Sequence, residues 1–390
     1  ANALSDGKNT YPVQQTENGA VAFLPDLPPK GYKCFAPVEA GSFENPLHID
    51  GSTITTPFYT VEFDESGLIT RLYDRKNDRE TVQPGKYANL MRMYEDKPMH
   101  YDNWDIDCYY TEKFWDVTDV QRMEWTERGP VRATLEIERK VSRSVICQKI
   151  HFYAACPRID FETTVDWKEH QHLLKAHFPM DVHTDEATFE IQFGNVTRKT
   201  HQNTSWDQAR FESCGQKWID VSEGHYGISL LNDCKYGHSV HNGEMALTLI
   251  KSGTEPNPVA DQEMHVFTYA LYPHAETWRS AETVAQAYFL NQPVRATAGG
   301  IAGEAYSLAS VDAKNVILET VKQAEDGDGV IVRLYECENA RTTTKLHWNR
   351  PIASVTECDL QENALTDVPV EGGTFKFTIK PYEIKTFRIR

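Results

Sequence analysis

Between Tyr94 and Tyr110 the sequence reads YEDKPMHYDNWDIDCYY, with five aromatic rings and five carboxylates in seventeen residues. Ring faces stack on the apolar C–H patches of sugars, and carboxylates accept hydrogen bonds from sugar hydroxyls. A strand does not need so many acids, and a solvated loop does not need so many rings. The combination therefore points to a carbohydrate-facing surface. Cutting a glycosidic bond asks for more, normally two carboxylates about 5–9 Å apart. With 57 acids in the chain, spacing alone selects no such pair. The chain also carries no G-x-S-x-G elbow, Walker loop, H-E-x-x-H or G-x-G-x-x-G. The H-x-D tripeptide at His48–Asp50 is one chance spacing among fourteen histidines and reads as linker before a strand. The stretch EDGDG lacks the spaced ligands of a calcium loop. Asp328-Gly329 within it reads as a tight turn.

The elements that must hold these residues are strands. Period-two alternation of apolar and polar residues marks half-buried strands. It runs through VRATLEIERKV, SVICQKIHFYAA and RIDFETTVDW, which predict an antiparallel meander from Val131 to Trp167. ATFEIQFGNVTRKT, HVFTYALYPH and GVIVRLYE add further strands, and LLNDCKYG reads as a strand running into a turn. One helix is predicted, from Trp278 to Leu290, with Ala281, Val284, Ala285 and Tyr288 on one face and Pro293 soon after. The fold class is therefore all-β, with stacked antiparallel sheets and few helices. LPDLPPKGYKCFAPVE and IKPYEIKTFRIR share one grammar, proline then aromatic then alternating strand. Each reads as the last strand of a small sandwich, the first of them cut short because few strands precede residue 40. The Gly-rich ATAGG marks a linker before the second.

Composition narrows the functional classes. A formal charge of −17 argues against nucleic acid and anionic membrane as partners. No apolar run approaches the length of a membrane span, and the first residues lack the basic start and apolar stretch of a signal peptide. Eight cysteines with no C-x-x-C pair read as reduced, buried thiols of a cytoplasmic protein.

Six segments, in order and covering nearly all of residues 20 to 390, resemble the C-terminal β region of glycoside hydrolase family 38 α-mannosidases in their bacterial and cytosolic branch. They are GLITRLYDRKNDRETVQPGKYANLMRMYEDKP, YDNWDIDCYY, NTSWDQARFESCGQKWIDVSEGHYGISLLNDCKYG, HVFTYALYPH, VILETVKQAEDGDGVIVRLYE and PYEIKTFRIR. The resemblance implies residues 1–45 as the tail of a truncated small sandwich with its linker. It implies 46–297 as a large antiparallel supersandwich of galactose mutarotase type, and 298–390 as a terminal small β-sandwich.

It further implies that zinc, the aspartate nucleophile and the acid/base aspartate belong to an N-terminal catalytic domain of the same polypeptide, whose His-rich metal motif is absent here. No catalytic residue, metal ligand or cofactor is therefore assigned to this chain, and the fragment alone is expected to be inactive. Its expected partners are that catalytic domain and a mannose-containing oligosaccharide, with a homo-oligomer left open. The segment matching DKPMHYDNWDID lies beside the substrate cleft in the family. This gives Asp102, Trp104, Asp105 and Asp107 as cleft candidates, with Asp96 and Lys97 in support. Lys251 falls where the family often has Arg, so it keeps the charge but loses the planar fork. Trp206, Asp207 and Arg210 recur as a unit, read as a buried Asp–Arg pair fixing a loop beneath the cleft. Each has a plainer reading beside it: Trp104 equally fills a core gap, the three acids cap turns, and Lys251 is a solvated strand end. A stand-alone carbohydrate-binding β protein and a mutarotase- or lyase-like enzyme remain alternatives, since one fold hosts many chemistries.

Overall fold

The computed structural model describes residues 1–390. The alternating segments become strands in register. Arg132–Val141, Ser144–Tyr153, Ile159–Asp166 and Met264–Ala275 pair antiparallel, so that Leu135, Ile150, Phe161 and Tyr269 form one row across four strands. These strands are the middle of a nine-stranded sheet. A six-stranded sheet built around Leu90–Glu95, His172–Pro179 and Glu244–Ser252 packs against it. Phe178 of the second meets Phe161 and Tyr269 of the first, with centroids 5.7 and 6.0 Å apart. Between the sheets Asn89 donates to Gln148 and accepts from the Tyr269 hydroxyl, so the buried amides are satisfied without water. A five-stranded sheet from His48–Asp50 to Arg79–Glu80 joins the same core of 43 side chains, running from Leu47 to Leu271.

The last ninety residues form a separate sandwich of four- and five-stranded sheets. Its core gathers Phe375, Phe377 and Phe387, whose rings lie 5.0–6.2 Å apart. The turn within EDGDG joins Val316–Gln323 to Val330–Glu336, with Gly327 and Gly329 at φ of 78° and 97°. The chain is all-β, as the alternation requires, and no helix is long and apolar enough to cross a membrane.

Several local expectations are corrected. The helix runs Thr283–Asn291, not Trp278–Leu290, and buries Thr283, Val284 and Ala287. Trp278 packs tilted against Trp218, with centroids 4.9 Å apart, where residues 278–282 run as turns, while Thr283 is anchored by a hydroxyl contact with Ser229. A second helix, Ser205–Ala209, was not foreseen. His48–Asp50 is a strand paired with Thr53–Thr55 rather than linker. Before residue 40 there are six short strands, not one final one. The Pro-rich entry splits in two: Ala36–Val38 pairs with Ala3–Ser5, and Gly31–Lys33 pairs with Ala305–Ser307 of the far sandwich. Prolines 28, 29 and 37 remove amide donors and limit these pieces to short edge pairings. All eight thiols are free, but only Cys337 and Cys358 are buried, whereas Cys108, Cys214 and Cys234 are exposed.

Candidate functional site

The six-stranded sheet has two unlike faces, and the alternation within each strand divides them. Met91, Met93, Leu174, Ala176 and Phe178 point into the large core. Arg92 and Tyr94, with Lys175 and His177 on the neighbouring strand, occupy the other face, where Arg92 lies directly opposite Lys175. A register shift at Leu174/Lys175 places Lys251 opposite Leu173 on that outer side. Residues 96–112 and 205–214 cover it. Tyr94, Tyr110 and Leu173 form a small apolar cluster there, joined by Ile106 and Phe211.

The ring-and-acid segment leaves the sheet after Glu95 and folds as a loop closed by the short 3-10 turn Cys108–Glu112. Asp102 is its fastening. The Asp102 carboxylate accepts from the backbone amides of Thr254 and Glu255, from the Thr254 hydroxyl at 2.8 Å and from Gln171. The two stretches lie so close that a Cβ on Gly253 would fall 2.0 Å from the Asn103 side-chain oxygen. Burial pushes the Asp102 carboxyl up, yet these hydrogen bonds outweigh it and hold it at about 2. Asp107 accepts from the Met99 amide and the Tyr109 hydroxyl, which lower it as well. With its base tied, the loop presents its rings to solvent. Trp104 is 68% exposed and Tyr101 67%, with centroids 6.1 Å apart.

The candidates thus separate. Trp104 does not fill a core gap. Asp105 beside it is exposed, and Lys97 is an exposed residue paired with Glu95. Asp102 is buried and fully engaged by its hydrogen bonds, as the turn-fastening reading expects of an acid in this loop. Lys251 is no solvated strand end: its ammonium pairs with Asp96, a buried carboxylate. Burial raises the Asp96 carboxyl and Lys251 opposes that, while the second oxygen of Asp96 has no partner. The Asp207–Arg210 pair does not form. Asp207 instead exchanges hydrogen bonds with Thr204 in a capping box that starts the Ser205–Ala209 helix, and Arg210 and Trp206 are exposed.

Sequence reasoning missed the buried charges underneath. Lys175 is fully buried and reaches Glu212, the Tyr110 hydroxyl and the Ser239 hydroxyl. His177 bridges the Tyr94 hydroxyl at 2.8 Å and Glu244 at 2.6 Å. Burial pushes Tyr94 up to about 12 and lowers His177, against the pull of Glu244. The signal was present in HLLKAHFP, where a lysine and a histidine two apart interrupt an otherwise apolar strand.

This face does not suit a zinc ion. Asp102 and Asp107 are committed to amides, Asp96 to an ammonium, and the His177 imidazole to Tyr94 and Glu244. A zinc site needs free imidazole, thiolate or carboxylate donors converging on one point. What the loop offers is a ring surface with acids at its rim.

Stacked antiparallel sheets with a ring-bearing loop on one outer face make this a multi-sheet β protein. The chain belongs to glycosyl hydrolase family 38: the family's C-terminal domain matches residues 54–259, and its C-terminal beta sandwich domain matches residues 315–387. Alpha-mannosidase G of Dictyostelium discoideum is 34% identical over 385 residues, covering 92% of this chain and 34% of that protein. Alpha-mannosidase 2C1 of Mus musculus is 34% identical over 347 residues, covering 86% and 33%. The chain therefore spans about a third of the length of the curated relatives it matches. A crystal structure of an alpha-mannosidase from Enterococcus faecalis V583 shares the fold with a TM-score of 0.76 at 18% identity, over 97% of this chain and 48% of that one.

Proposed function

We propose that this chain is the C-terminal, non-catalytic portion of a zinc-dependent, retaining α-mannosidase acting in the cytoplasm on terminal α-mannosides of oligosaccharides. Its part is to complete the substrate cleft and to stabilise the catalytic domain of the same polypeptide. The observation that carries this reading is the Tyr101–Trp104 ring pair, exposed on a loop whose base Asp102 ties to the sheet. Exposed rings on a fixed backbone lose little freedom when a sugar stacks on them. Asp102 and Asp107 accept hydrogen bonds from backbone amides and hydroxyls, which fits a cleft wall better than a catalytic centre. Zinc and the reacting carboxylates then belong to the catalytic domain.

The 390-residue chain is expected to show no turnover of 4-nitrophenyl α-mannoside with zinc added. An enzyme carrying both the catalytic domain and this region is expected to turn it over. In that enzyme Trp104→Ala is expected to raise KM for a mannose oligosaccharide several-fold while leaving the aryl mannoside nearly unaffected. Chelator-controlled turnover by the 390-residue chain alone would overturn the non-catalytic reading. Unchanged KM in the variant would overturn the wall. A stand-alone binding module would rest on the same rings. It is distinguished by tight α-mannobiose binding to this chain without any catalytic domain.

A further inference from the structure

The Trp104 loop is not the only exposed ring-bearing segment on this face. Trp206, 74% exposed, stands on the Ser205–Ala209 helix, and the chain continues from it directly into Phe211 and Glu212. The two segments meet at one place. Tyr110, in the 3-10 turn that closes the first, lies 6.4 Å from Phe211 of the second and donates its hydroxyl hydrogen to Glu212 at 2.7 Å. Beneath both, Lys175 of the central strand pairs with Glu212, donates to Ser239 at 3.0 Å and sits 5.5 Å from the Tyr110 ring centroid. Two loops and a sheet thus converge on a single carboxylate.

A buried ion pair is weak evidence for stability, because the cost of desolvating both charges offsets most of their attraction. Its geometry is nonetheless demanding, and with one partner gone the other is left charged and buried. We infer that Lys175, Glu212 and Tyr110 act as a clamp that makes the Trp104 loop and the Trp206 helix one coupled unit, so that a sugar ordering one orders the other. The three are positioning residues, since none of them reaches the solvent-facing rings. Glu212 supplies the shared acceptor, Lys175 fixes it to the sheet, and Tyr110 carries its position into the loop. The coupling stands on the buried contacts alone; its consequence for sugar rests on the cleft-wall reading above.

Backbone hydrogen exchange in the 390-residue chain separates the two. Tyr110→Phe removes the hydroxyl, with the bond it donates to Glu212 and the one it accepts from Lys175, and keeps the ring, so the fold survives. Exchange of residues 97–107 and 204–212 is expected to rise together by about tenfold, with Arg132–Val141 unchanged. Lys175→Met is expected to do the same more strongly and to lower Tm. Lys175→Met/Glu212→Gln, which removes both charges, is expected to recover Tm while both segments stay fast, an outcome that a purely stabilising role would not give. A rise confined to one segment, or full protection restored by the double variant, would overturn the clamp. In a second arm, run on an enzyme carrying both the catalytic domain and this region, a non-hydrolysed thio-linked α-mannobiose is expected to protect both segments in the parent enzyme and only residues 97–107 in Tyr110→Phe. Protection of both segments in that variant also counts against the clamp. Absence of any sugar protection would sink the cleft wall and leave the clamp to be decided by the first arm.

Discussion

The two faces of the six-stranded sheet come from the same strands and behave as different materials. On the inner side Met93, Leu174, Ala176 and Phe178 join a continuous apolar core. On the outer side, one residue over in each strand, Tyr94, Lys175 and His177 carry hydrogen bonds and ion pairs beneath the ring-and-acid loop. The difference teaches that a strand can be buried on both faces for unrelated reasons. Inner positions are exchangeable for other shapes of equal volume. Outer positions are fixed by partners whose loss leaves a charge or donor stranded.

Substitutions can break that contrast. Phe178→Ala on the inner face is expected to cost about 3–5 kcal/mol through the cavity between Phe161 and Tyr269, measured by urea unfolding. Lys175→Met on the outer face is expected to cost about 3 kcal/mol by leaving Glu212 buried and unpaired, and the added Glu212→Gln is expected to return most of it. No second substitution of similar kind should rescue the inner cavity. Asp102→Ala is expected to cost about 2 kcal/mol and to free the loop, seen as faster proteolysis near Trp104. Smallest of all, Trp104→Ala is expected to change stability by less than about 0.5 kcal/mol, because its ring touches little besides Tyr101.

Acid sharpens the comparison within the loop itself. The folded Asp102 carboxyl lies at about 2, below its ordinary 3.8, so its contribution to stability is present above about pH 4. That contribution is lost as pH falls through about 2. Asp96 is displaced the other way, so protonating it relieves a buried charge and its share of stability grows as pH falls. Acid unfolding of Asp102→Asn is therefore expected to be less steep between pH 4 and 2 than that of the parent chain, whereas Asp96→Asn is expected to keep the parent's slope.

How far the sequence could be read follows from the range of each interaction. The meander from Arg132 to Asp166 was legible because alternation is local. So was the EDGDG turn, where glycines supply the left-handed backbone. The capping box was equally legible in Thr204-x-x-Asp207, but Arg210, three residues beyond Asp207, offered that carboxylate a second local partner and the sequence does not rank the two. Asp102 shows the limit, since its partners Thr254 and Glu255 lie 152 and 153 positions away and nothing local announces them. The same holds for Lys251 with Asp96, which spacing could only place as a charge at a strand end and a charge in a distant loop segment. Exposure of Trp104 was undecidable for a related reason. A ring beside three acids reads alike in a core gap and on a surface until the fastening of its loop is known.

The short rung between Gly31–Lys33 and Ala305–Ser307 bears on how the molecule is made. Tyr32 and Glu304, which bond across it, are separated by 272 positions. On the ribosome the first of these strands emerges with an unpaired edge and stays so until most of the chain has been synthesised. An edge left open that long is a template for strangers as well as for its own mate. The seat beside it tolerates only glycine, since a Cβ on Gly31 would come within 1.8 Å of the Tyr306 carbonyl oxygen. Closure of this seam therefore joins the two ends of the chain through one of its longest-range pairings, the kind of contact whose loop-closure entropy must be met before it gives anything back.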